Sequence, residues 1–216
     1  MDLIGGYLLI FLILFTANIS LLMGNFKISN VKLILISSAA FIISFVLMNI
    51  STYAGGSLSF LMDNFSYFFI IVAIALFLIF LYYFRKNNLE HAMISIVILS
   101  IVSIVCLSSQ SKLQLFDCLL YSLFSFLVMF FVYQITKLLV HAKRDYPVII
   151  GEYMSLFSLL VFIFGLTYDS TKSLNYTMFS PFLILTPTYK LIYVIIGIIV
   201  VLVIGAVYND NLGGNS

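Results

Sequence analysis

The chain has no tryptophan, two histidines, two cysteines, three prolines and very little charge. Charged residues make up 8% of its 216 positions, against the quarter usual in soluble domains, so no soluble catalytic or nucleic-acid-binding domain is hidden in it. Ten scattered basic residues against eight acidic ones form no polybasic tail and imply no nucleic-acid partner. The scarcity of histidine excludes the usual means of holding haem, because His91 and His141 fall at expected helix ends. A metal site from Glu90, His91 and His141 is the weakest of the chemical readings. "LEHAMIS" lacks the second histidine of a zinc protease, and neither a serine elbow nor a phosphate-cradling glycine loop occurs. The expectation is a protein that is not an enzyme and that carries no cofactor and no metal.

What is present is apolar. Hydrophobic residues account for 63% of the chain, and the mean hydropathy is +1.21. A helix needs about 20 apolar residues to cross the hydrocarbon. Runs near 3–23, 31–51, 64–84, 92–108, 115–139, 147–167 and 188–208 give an all-α, polytopic bundle of seven crossings that occupies the whole of 1–216, with a short disordered tail at 209–216. The runs are continuously apolar, whereas barrel strands are short and alternate. The opening "MDLIGGYLLIFLILFTANISLLMG" lacks a basic start, carries Asp2 and has too long an apolar run for a signal peptide, so it reads as a retained helix.

Basic residues orient this bundle. Lys27, Lys32, Arg85, Lys86, Lys137, Lys143 and Arg144 fall on one side, and Lys112, Lys172 and Lys190 on the other. The positive-inside rule then places the N-terminus outside and the C-terminus in the cytoplasm, in an integral protein of the cell membrane. The long connection from Thr167 to Lys190 lies outside; its "MFSPFLILTP" is too short to cross and reads as an interfacial or re-entrant segment. Asn175-Tyr176-Thr177 forms a sequon there. Tyr82, Tyr83, Tyr189 and Tyr193 are expected to anchor the interfaces in place of tryptophan. Cys106 and Cys118 flank one short connection, which leaves both a disulfide and two free thiols open.

Polar residues inside the runs are the candidate site residues. At 100° per residue, Asp117, Cys118, Tyr121, Ser122, Ser125, Tyr133 and Thr136 fall within an arc of about 160° on the fifth crossing, which should face the bundle interior. On the sixth, Glu152, Ser155, Ser158 and Gly165 repeat the pattern. Glu152 falls one or two turns inside its helix, where a carboxylate needs a partner or a proton; Lys137 and Arg144 are the ion-pair candidates. The transport-path candidates are therefore Glu152, Asp117, Ser125, Ser155 and Ser158, with Asp117 as an outer acid alongside Asp63. Asn18, Ser20 and Asn49 read as hydrogen-bonding glue between helices, and Ser95, Ser100, Ser103 and Cys106 share one side of the fourth.

In size, in its short-looped helices and in "LLMGNFKISN", "YYFRKNN" and "YPVIIGEYMSLFSLLVFIFGL", the chain resembles an archaeal group of predicted multipass membrane transporters of unknown function. That resemblance implies a permease-like protein for a small solute or ion. The other class is a non-catalytic anchor or structural subunit of a hydrogenase- or respiratory-type membrane complex. Partners follow accordingly: the lipid bilayer, with either a second copy of the chain or the neighbouring subunits of a complex.

Overall fold

A computed structural model describes residues 3–172 apart from 27, 54, 57, 62–63, 87 and 140–144. The seventh run at 188–208, "MFSPFLILTP", the sequon, Tyr189, Tyr193, the tail, Asp63, His141 and Arg144 lie outside the described residues. Six α-helices follow one another: α1 (Leu3–Met23), α2 (Asn30–Tyr53), α3 (Phe65–Lys86), α4 (Leu89–Gln110), α5 (Leu115–Leu139) and α6 (Tyr146–Lys172). Each is long and apolar enough to cross a bilayer. The described residues are all-α, and the chain is a multipass integral membrane protein whose outer side chains meet lipid.

The helix ends have local causes. Asn88 accepts the His91 backbone N–H and starts α4 three residues before its apolar run. Asp117 Oδ2 accepts the Gln114 N–H at 3.0 Å, closing the first turn of α5 from behind. After α1 the chain turns at Gly24, whose N–H reaches the Ser20 and Leu21 carbonyls. The Tyr133 hydroxyl fixes that turn, accepting the Ile28 N–H at 2.9 Å and lying 3.1 Å from the Phe26 and Ile28 carbonyl oxygens. α6 runs five residues past its expected end at 167. Thr167 and Thr171 bond carbonyls one turn back, and buried Tyr168 packs on Tyr7, Phe65 and Phe69.

α1 is the axis of the bundle. It packs on α4, α5 and α6, while α3 lies chiefly on α6 and α2 chiefly on α5 and α4. Without a hydrophobic driving force between helices in lipid, close approach and hydrogen bonding hold such pairs. At the α3–α6 crossing Ser66 Oγ donates to the Gly165 carbonyl at 2.5 Å, and Ser158 Oγ donates to that of Ala73 at 2.9 Å. Gly165 lets the backbones meet: a Cβ there would lie 2.7 Å from Ile70 Cγ1 and 3.1 Å from the Ser66 oxygen. Elsewhere Ser20 Oγ donates to the Met129 carbonyl at 2.8 Å, and the hydroxyls of Ser51 and Ser108 bond each other. Cys106 and Cys118 are free thiols.

Gly165→Val is expected to destabilise the folded bundle by about 1–3 kcal/mol, because overpacking forces α3 and α6 apart. Gly6→Ala meets nothing within 4 Å and should be neutral or stabilising by up to about 1 kcal/mol. Thermal unfolding of both variants in one detergent checks the pair; equal midpoints would remove the close-crossing account.

Candidate functional site

The expected interior face of α5 is interior: Cys118, Tyr121, Ser122, Ser125, Tyr133 and Thr136 are buried and Asp117 is half-buried, while Leu119, Leu120, Leu123, Leu127 and Phe131 are exposed. α6 differs in one residue. Its buried stripe is Ile150, Gly151, Met154, Phe157, Ser158, Val161, Gly165 and Tyr168. Ser155 lies at the edge of that stripe and Glu152 on the opposite, exposed side. The reason is the register set by Gly151, Ser158 and Gly165, which turns their side of the helix inward and carries position 152 away from it.

The five path candidates do not converge. Ser155 and Ser158 line a crevice of about 330 Å³ between α3 and α6, whose other walls include Ile74, Phe77, Leu159 and Phe162. Those four are exposed, so the crevice opens on the lipid side. Ser125 lines a separate cavity of about 210 Å³ among α1, α2, α4 and α5, with Thr16, Ser44 and Ser100 as its other hydroxyls. Thr16 and Ser44 donate to their own helices at Leu12 and Ala40. Asp117 is engaged at the start of α5. Exposed Lys137 donates to Asn30 Oδ1 at 2.7 Å and stands 5.4 Å from the centroid of the Tyr133 ring. Among the described residues no three His, Cys, Asp or Glu side chains come together as a metal site would need.

One stripe of α1 carries a further buried polar residue. Tyr7, Phe11, Phe15, Asn18 and Leu22 are spaced by four, four, three and four, which makes them one stripe. Its rings meet α3 and α6: Tyr7 lies 5.0 Å from Phe69 and 5.3 Å from Phe164, and Phe15 lies 5.0 Å from Phe157. Asn18 is the next position along and is completely buried. Neither its amide nitrogen nor its oxygen has a hydrogen-bond partner. Two tyrosines of α6 bracket it. Tyr153 Oη donates to the Leu14 carbonyl at 3.2 Å, and Tyr146 Oη to that of Leu21 at 2.6 Å. In a regular helix the Leu14 carbonyl also receives the Asn18 N–H, so Tyr153 shares its acceptor with the backbone of Asn18.

Further hydroxyls surround Tyr146. It presses with Thr136 on the Cα of Gly24, where a Cβ would stand 2.8 Å from Thr136 Oγ1. Tyr133, whose hydroxyl holds the backbone at Phe26 and Ile28, borders the same turn. Tyr83 is 2% exposed and its hydroxyl is unpartnered. The expected anchor Tyr83 is thus an interior residue, while Tyr82 is exposed. Among the described residues no Asp, Glu, Lys or Arg is buried, and Asn18 between the bridges of Tyr153 and Tyr146 is an uncharged polar site toward the Gly24 end of an apolar bundle.

Asn18 had been expected to serve as glue. That role belongs to its neighbour Ser20, which bonds α5, while Asn49 bonds its own helix at Phe45. Tyr133, Tyr146 and Tyr153 carried one usable signal: Tyr146 and Tyr153 are seven residues apart and share a helix face. No family model, no curated protein and no solved structure matches the chain.

An amide with four unmet hydrogen-bonding positions is a local cost of about 1–3 kcal/mol. Asn18→Leu is therefore expected to raise the unfolding midpoint, whereas Ser20→Ala, which breaks a bond across helices, should lower stability by about 0.6 kcal/mol. Thermal unfolding in detergent separates the two roles. A loss of stability in Asn18→Leu as large as in Ser20→Ala would return Asn18 to the class of structural glue.

Proposed function

We propose that this chain is a permease-like protein of the cell membrane that moves a small solute or ion and catalyses no reaction. One observation carries the reading: Asn18, completely buried on the central helix, has both amide atoms unpartnered between two tyrosines of α6 that bond the Leu14 and Leu21 carbonyls. A bundle that needed polar groups only for packing would engage them, as Ser20, Ser66 and Ser158 are engaged. The resemblance to archaeal predicted transporters supports the same class.

The topology that goes with this reading has seven crossings, the N-terminus outside and the C-terminus in the cytoplasm, supported by the basic residues gathered at one set of helix ends. The Gly24 end of the bundle then faces the cytoplasm, and the Asn18 site sits in the inner half of the membrane. A reporter fused after Ser216 should be active only in a form that works inside the cell. Activity of an exclusively extracytoplasmic reporter at that position would overturn this topology, through its orientation or its seventh crossing.

Native mass spectrometry of the protein purified from its host in mild detergent tests the functional class. Recovery alone or as a homo-oligomer is expected. Stoichiometric recovery with other membrane subunits would transfer the function to the complex and make this chain its anchor.

A further inference from the structure

We propose that the Asn18 site selects small, uncharged solutes that both donate and accept hydrogen bonds, and rejects ions. The inference rests on the permease reading and adds a substrate class to it. Three observations limit what the site holds.

The first is charge. Asn18 supplies two donors and two acceptor positions, the hydroxyls of Tyr146 and Tyr153 beside it are spent on carbonyls of α1, and none of these groups carries charge at neutral pH. Among the described residues no buried ionised side chain is present to compensate an ion, and an uncompensated charge in an apolar interior costs far more than an unpaired amide. A solute with both donor and acceptor satisfies Asn18 Nδ2 and Oδ1 together. Neither a pure acceptor nor a bare cation does.

The second is size. Tyr153 and Tyr146 tie α6 to the carbonyls of Leu14 and Leu21. Seven residues of helix separate those ties by about 10 Å. Those bridges bound the stretch of α1 that carries Asn18, so a solute held against its amide is no longer than about 10 Å, a limit that water, urea and glycerol all meet.

The third is the approach. On the other side of Asn18 the α1 stripe is aromatic, with Phe15, Phe11 and Tyr7 against Phe157, Phe164 and Phe69. A solute leaving the site along this stripe must pass between rings with no charged side chain beside them among the buried residues described. Hydrophobic constrictions of this kind hold back hydrated ions.

Stopped-flow light scattering on proteoliposomes of the full chain tests the proposal with water, urea and glycerol as neutral probes, and rubidium and chloride tracers as charged ones. Wild type should raise the flux of at least one neutral probe tenfold or more over protein-free vesicles and leave tracer flux at background. Asn18→Leu should return the neutral flux to background. Asn18→Thr, which keeps one donor and one acceptor on a shorter side chain, should lower it severalfold; it keeps the test decisive should Asn18→Leu lose its helical circular dichroism. Flux of tracers alone would overturn the neutral class and leave the permease reading standing. Neutral flux unchanged in both variants would overturn the site. No flux of any probe would overturn the permease reading for these solutes, and the substrate class with it.

Discussion

Hydrocarbon offers no hydrogen bonds, and every polar group of this bundle has to be met from within the protein. The helices answer for their own backbones. Side-chain hydroxyls on α1, α2, α4 and α5 answer largely by folding back onto the preceding turn, as Thr16, Ser44, Ser108 and Ser122 do. A smaller set crosses between helices at Ser20, Ser66, Ser158, Tyr146 and Tyr153. These cross-links and the close approach at Gly165 fix which helices are neighbours. The buried side chains that escape the rule, Asn18, Ser37, Tyr83 and Ser103, are few among the described residues. Asn18 stands apart because a bare amide leaves more donors and acceptors unmet than a bare hydroxyl.

The fold was largely legible because length and hydropathy alone decide a crossing. All six described helices coincide with apolar runs, and their departures lie at the ends, where capping and aromatic packing take over. Asn88 extends α4 backward and Tyr168 carries α6 forward into ring contacts with α1 and α3. The inward face of α5 was legible for the same reason: polar residues gather on one arc and leucine and phenylalanine on the other. Glu152 was not, because periodicity gives the angle between residues on a helix and not which side a neighbour covers. Gly151, Met154, Ser158 and Gly165 settle that side, and they do so through α1 and α3, whose positions no single-helix pattern contains.

The candidate site was the least legible part. Ser20 and Asn18 are two residues apart and chemically similar, yet one meets the Met129 carbonyl and the other meets nothing. Only the placement of α5 against α1 distinguishes them. The tyrosines of α6 were hidden by a sound generalisation, since tyrosine in a membrane helix usually marks the interface. Tyr146 and Tyr153 instead direct their hydroxyls onto carbonyls of α1, and Tyr83 buries its own.

One stripe of α1 therefore does two different things along its length. In its first half Tyr7, Phe11 and Phe15 interlock with rings of α3 and α6, and dispersion over large side chains holds that half. In its second half the ring at the next position is replaced by an amide, and the contacts on either side become single hydrogen bonds from Tyr153 and Tyr146. Rings resist separation over a broad area, whereas a lone phenol exchanges one acceptor for another at small cost. The unmet amide accordingly lies where the contact of α1 with α6 has passed from interlocked rings to two hydroxyl bridges, one on each side of Asn18.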